Sequence, residues 1–258
     1  MQPRPRSGAR QYNPAVTLIR RLAMQEQEKL GMNILRRSGL VAALAWTLVP
    51  AAAVADAKSD FEATMSHDGL EKISVKGIAV AYAKPGATLA GYSRVQIEPV
   101  QVAFRKDWDP TKTGSQFKLT AEDRENIRTG VATLVHEEFV KALESKSSYK
   151  VVNTAGADVL RVRINILNLY VNAPDTQSPG RSRTYTVSAG EMSMFAELFD
   201  SESGEPLARI VDRREGRSSG MMQISGKVEN TGQARDIASS WARILRDGLD
   251  KAHGIGKK

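Results

Sequence analysis

The chain of 258 residues contains no cysteine. That absence removes disulfides, thiol nucleophiles, thiolate metal sites and cysteine-linked lipid anchors by chemistry rather than by odds. Histidine is almost as scarce, limited to His67, His136 and His253. His136 stands beside Glu137 and Glu138, but the spacing is not the His-Glu-x-x-His of a zinc hydrolase. A charged face turned to solvent is the simpler reading of those three residues. No Gly-x-Ser-x-Gly elbow is read at a strand-to-helix turn. A Walker A loop and a dinucleotide Gly-x-Gly-x-x-Gly turn are also missing. No catalytic residue, cofactor or metal ligand is therefore assigned. The expectation is a non-enzymatic protein, and the alternative is a hydrolase of unrecognised type built on His136 and nearby acids.

The chain also lacks a basic stripe. Its net charge of +8 is unevenly placed, because residues 1–57 hold eight Lys/Arg against three Asp/Glu. The remainder holds 29 Lys/Arg against 26 Asp/Glu, ordinary surface charge for solubility. A phosphate-backbone binder needs clustered cations, so nucleic acid is excluded as the expected partner.

What the N-terminal part does contain is an export signal. Arg36 and Arg37 follow Met32, an apolar stretch runs from Gly39 to Val54, and Ala55-Asp56-Ala57 gives the small-x-small pattern of a cleavage site. That order is the signature of a secretory signal peptide. The stretch is shorter than the roughly 20 residues of a membrane span, and it contains Pro50. Cleavage is expected after Ala57, leaving no transmembrane span and a periplasmic protein. Residues 1–31 are polar and basic without a core pattern. They are read as a non-native or disordered extension, with translation starting at Met32; a long n-region is the alternative.

Beyond residue 57 the reading is an extended lead-in over 58–72 and one globular domain over 73–253. Strands are predicted at Ile73–Tyr82 and through Val95–Phe104, where the alternation slips by one residue at Pro99. Proline in a strand belongs at an edge or a bulge, and a bulge produces that slip. Thr120 caps a helix whose apolar residues Ile127, Val131, Leu134, Val135, Phe139, Ala142 and Leu143 recur at helical spacing. Short strand Tyr149–Val152 and long strand Val159–Val171 follow, the latter slipping register near Leu167. Tyr185–Phe199 and Leu207–Arg213 are predicted to pair around the turn Asp200–Glu205. Residues 214–230 read as a polar loop. A last helix, about Ala234 to Ala252, is expected to bury Ile237, Trp241, Ile244, Leu245 and Leu249. The simplest layer solution is an α+β sandwich: a mixed, mainly antiparallel sheet with two helices packed on one face.

Three charged features invite a site. The carboxylates of Asp200–Glu205 lack the spacing and closing Glu of a calcium loop, so a solvated hairpin turn is preferred. Arg161 and Arg163 share a strand face, and Arg209 follows the hairpin. Together they form a candidate face for an anionic envelope component; the bland reading pairs them with Glu191 and Glu197 across the sheet.

Five segments taken in order resemble a known family. They are Asp68-Gly69-Leu70, Tyr92–Val100 (YSRVQIEPV), Leu119–Arg124 (LTAEDR), Ala157–Ile164 (ADVLRVRI) and Glu197–Leu207 (ELFDSESGEPL). Together they resemble the bacterial family called domain of unknown function 3313, over roughly residues 66–250. The resemblance implies a small cell-envelope protein, commonly a lipoprotein, with no catalytic residues to transfer. This chain departs from that pattern in having no lipobox cysteine, which favours a soluble periplasmic form. Its partner is expected to be an envelope protein or an anionic envelope component.

Overall fold

In a computed structural model, residues 64–109, 120–145, 149–171, 190–216 and 230–255 are described with their side chains. Residues 184–186, 223–225 and 227–229 are described as backbone. The signal segment, with Ala55 and Ala57, lies outside these residues. The compact unit that holds the sheet and helices is Ser66–Lys258.

The sheet begins earlier than the alternation suggests. Strand β1 (Glu71–Ile73) and β2 (Val80–Ala83) pair antiparallel, in place of one strand over Ile73–Tyr82. Gly77 causes the difference: it holds φ +82 between them, a conformation open to glycine at no steric cost. Residues 66–72, expected to be extended, include a 3-10 turn at His67–Gly69 and Leu70, which is buried. This end of the lead-in is part of the fold.

The slip at Pro99 is a true break. Strands β3 (Arg94–Ile97) and β4 (Gln101–Phe104) both run parallel to one long strand, β6 (Val159–Val171). Glu98 still donates its N–H to the Val162 carbonyl at 2.9 Å; Pro99, with no N–H, cannot continue the ladder. Helix α1 (Ala121–Glu144) then crosses over to β5 (Lys150–Val151), which lies parallel to β3. Thr120 caps α1 as its position predicts. Its hydroxyl accepts from the Asp123 N–H at 3.0 Å, while Asp123 accepts from the Thr120 N–H at 2.9 Å. This reciprocal arrangement satisfies two of the amides that a helix start leaves open.

Strands β8 (Gly190–Asp200) and β9 (Pro206–Glu215) complete the sheet as an antiparallel hairpin. The predicted strand Tyr185–Phe199 is divided. Its first part is β7 (Thr184–Thr186), which pairs with β10 (Gln223–Ser225) in a separate two-stranded sheet. Gly190 lets β8 start where it does, because a Cβ there would fall 2.1 Å from the Tyr170 carbonyl oxygen. The last helix, α2 (Lys227–Ala252), starts seven residues before the expected Ala234. The β6 register shifts between Leu167 and Tyr170, with Asn168 at φ 52, so the second slip in the pattern is also real.

The eight-stranded sheet has the order β1-β2-β9-β8-β6-β3-β5, with β4 also against β6. It is mixed and mostly antiparallel, an α+β arrangement. Leu160, Val162, Ile164 and Ile166 of β6 and Met192, Met194, Ala196 and Leu198 of β8 face the two helices. From α1 come Leu134, Val135, Phe139 and Leu143; from α2 come Ile237, Ala238, Trp241 and Leu249. The helices run alongside each other in the same direction, since Arg235 meets Glu138 and Arg246 meets the Ala142 carbonyl. Asp212 of β9 ties this layer together. Buried, it accepts from Trp241 Nε1 at 2.7 Å, the Ala79 N–H at 3.0 Å and Arg214 Nε at 2.9 Å. A buried carboxylate with its acceptor sites filled is tolerated where an unpaired one is not.

Candidate functional site: an aliphatic cavity and an arginine ladder

The three arginines singled out from the sequence lie together on the sheet face turned away from the helices. Alternation along β6 puts Arg161 and Arg163 there, and the β8–β9 register places Arg209 opposite Glu197. Arg163 binds Glu98 through Nε at 2.7 Å and through the terminal nitrogen at 3.2 Å. It also reaches Glu197 at 3.5 Å. Glu197 joins Arg209 at 3.2 Å, and Arg209 continues to Asp68 at 2.5 Å and the His67 carbonyl at 2.6 Å. Arg161 stands 3.6 Å from Glu98. Both Arg161 and Arg163 hold their guanidinium groups near the Phe199 ring, at 4.8 and 5.0 Å from its centre. A parallel branch links Arg105 and Arg213 to the two oxygens of Glu191. Glu191 and Glu197 are thus partners of this face, and Glu98 and Asp68 are two more that the sequence reading did not select. Hydrogen bonding to His67 first, then to Arg209, holds the Asp68 carboxyl below its ordinary value against the opposing effect of burial.

The acidic hairpin forms a closed turn. Asp200 Oδ1 accepts from the Glu202 N–H, the Ser203 N–H and the Ser203 hydroxyl, at 3.2, 2.8 and 2.7 Å. Its other oxygen accepts from the Tyr92 hydroxyl at 3.1 Å. Desolvation, with that bond to a carboxylate, pushes the Tyr92 phenol up to about 12. Asp200 is committed to the turn through one oxygen and to Tyr92 through the other. Among the described residues no group of three or more His, Asp or Glu is placed to hold a metal ion.

The sequence reading missed a cavity at the other end of the helices. It measures about 650 Å³ and lies between the first half of α1, the start of α2 and the adjoining ends of β6 and β8. Ile127, Val131 and Leu134 of α1, Leu169 of β6, Met192 of β8 and Ile237 of α2 wall it. Gly130 opens one side, where an added Cβ would meet nothing within 4 Å. The first buried residue of α1 is Leu134, although the apolar face begins at Ile127. That early start was the available signal: an apolar stripe reaching two turns beyond what the sheet covers.

The polar groups at the cavity are mostly committed. Asp123 closes the α1 cap, Glu191 holds Arg105 and Arg213, and Arg235 holds Glu138 at 3.2 Å. Two are not. Glu137 is exposed and has no partner among the described residues. Gln233 has its Oε1 atom buried without a hydrogen bond, against Gly216, where a Cβ would fall 1.8 Å from that oxygen. His136 does not line the cavity. One serine string was passed over: Gly216-Arg217-Ser218-Ser219-Gly220 has the Gly-x-Ser-x-Gly spacing. Ser218 lies outside the described residues, and the next described element is strand β10, not the helix an elbow requires.

The fold and this site define an α+β domain, built on an eight-stranded mixed sheet, with a partly aliphatic cavity between its helices. The chain belongs to the DUF3313 family, described as a protein of unknown function, whose profile matches residues 59–245. No curated protein matches it. Among solved structures, a PelC dodecamer from Paraburkholderia phytofirmans is similar at 8% identity and TM-score 0.34, over 64% of this chain and 98% of that one. Protein XCC0632 from Xanthomonas campestris is similar at 13% identity and TM-score 0.36, over 67% of this chain and 91% of that one. The hypothetical protein CT253 from Chlamydia trachomatis is similar at 12% identity and TM-score 0.29, over 63% and 96%. Likeness at this level carries no argument about mechanism or assembly.

Proposed function

We propose that the protein is exported to the periplasm by the segment Met32–Ala57 and acts there as a non-enzymatic binding domain of the cell envelope. The observation that carries the binding half is the cavity: aliphatic side chains from both helices and two strands, polar side chains around them, and no nucleophile–base pair among its described lining residues. Pockets of roughly 300–1,000 Å³ with mainly apolar walls are the usual form of a small-molecule site. The hydrolase alternative has less to build on, because Glu138 turns inward to Arg235 and His136 stays off the cavity wall. Export is supported by the ordered n-region, apolar stretch and Ala-x-Ala site. No described helix is long and apolar enough to cross a membrane.

A second reading keeps Arg161, Arg163 and Arg209 as a face for an anionic envelope component. Arg161 favours it, since its Nε is buried without a hydrogen-bond partner. The other two arginines would first have to leave Glu98, Glu197 and Asp68. The test of the main reading is cell fractionation with N-terminal peptide mapping and in-cell crosslinking. A processed chain starting at Lys58 in the periplasmic fraction, crosslinked to an envelope component, is the expected result. Full-length chain confined to the cytosol overturns it.

A further inference from the structure

We infer that the cavity between α1 and α2 takes a single-chain aliphatic amphiphile whose head is uncharged and donates a hydrogen bond, such as a long-chain alcohol or a fatty amide. The inference rests on the binding reading above and adds a ligand class to it. Three observations lead there. The apolar part of the wall is aliphatic and comes from four elements, and Tyr170 is the one aromatic residue among the described lining residues, so flexible hydrocarbon fits better than a flat ring needing stacking partners. The deep residues Leu134, Met192 and Ile237 are buried, while Asn126, Thr133 and Glu137 at the same cavity are exposed. The site therefore has an apolar end and a wet end.

The head group follows from the uncommitted polar atoms. Gln233 Oε1 is a buried acceptor with nothing donating to it, and such an atom favours a ligand that brings a donor. Glu137 is a charge at the described lining with no partner among the described residues. Arg235 is held by Glu138, and Arg124 and Arg128 face the Trp108 and Phe104 rings. An ionised carboxylate head would meet Glu137 with no free cation among the described lining residues to offset it, and it could give Gln233 Oε1 no proton. An alcohol or amide head avoids both penalties.

The experiment uses the protein as cells produce it, labelled with ¹³C at the methionine methyls, with 1-decanol and decanoate as probes. Met192 lies in the cavity wall, so its methyl signal, assigned with Met192→Leu, should shift saturably with decanol. Decanoate should bind at least about fivefold more weakly, and Glu137→Gln should narrow that gap. Gln233→Leu should weaken decanol by about three- to tenfold, the worth of one hydrogen bond. Gly130→Phe places a ring in the open side. It also replaces a mid-helix glycine, which lowers helix stability, so it should abolish the shift without lowering the Tm. A folded protein whose Met192 signal ignores decanol, equal binding of decanoate, or an undiminished shift in Gly130→Phe would each overturn the assignment. Any of these with a processed, envelope-crosslinked chain leaves the parent reading intact. A cytosolic chain removes the export reading and leaves the decanol titration to stand alone.

Discussion

Strands β6, β8 and β9 present two faces, and the same backbone solves two different problems on them. Toward the helices, alternate residues are aliphatic and interdigitate with Val135, Phe139, Trp241 and Leu249. Away from the helices, the intervening positions carry Arg161, Arg163, Glu197, Arg209 and Arg213, joined pair by pair across the strands. The first face gains free energy by removing hydrocarbon from water, which needs no angular precision. The second gains little per pair, because charges near solvent are screened and long side chains lose freedom. The difference shows where the domain is held together and where it is only kept in register.

Breaking the helix-side layer should cost most. Trp241→Ala removes a side chain 1% exposed together with the indole donor to Asp212. Urea unfolding is expected to show a loss of about 3–5 kcal/mol, typical of a large aromatic deleted from a core. A loss under about 1 kcal/mol would mean that this layer is not the stabilising one. Glu197→Ala tests the inner part of the ladder. It leaves Arg209, whose side chain is 10% exposed, with one carboxylate partner fewer, so about 1–3 kcal/mol is expected.

Acid sharpens the comparison further. Asp158 is held well below its ordinary 3.8 by hydrogen bonds from Arg94 and then Ser93. The unfolded chain therefore binds that proton more tightly than the folded one. The contribution is complete above pH 3.8 and drains away as pH falls toward the folded value. Asp158→Asn should flatten the fall in Tm below that pH and leave the neutral-pH pH-dependence alone; an unchanged acid limb would count against the pairing. The smallest effect belongs to the rim. Arg213→Ala, at 42% side-chain exposure and with Arg105 still on Glu191, should change stability by about 0–1 kcal/mol, and less in 1 M salt.

The parts of this molecule written in local pattern were legible. The Thr120 cap, the interruption at Pro99, the span of β6 and the hairpin at Asp200 each depend on residues within a few positions of one another. Parts that depend on distant neighbours were not. The early start of α2 and the separate pair β7 and β10 reflect contacts that no local period encodes. The cavity was invisible for the same reason. Ile127 and Val131 have the spacing of core residues, and only the placement of α2 decides that they line a space. The arginine ladder was half legible: strand alternation put Arg161 and Arg163 together, but Asp68, 141 residues from Arg209, could not be seen as its partner.

Among the described residues, strand β4 has a neighbour on one side only, β6. Its outer side is a short stretch of open backbone of the kind on which a foreign strand can grow. Upstream, that stretch stops at Pro99, which has no amide to offer; downstream, the chain turns away so that Trp108 can stack on Phe104 and donate to the Val171 carbonyl. A stray chain arriving there would find four residues to grip, and then nothing.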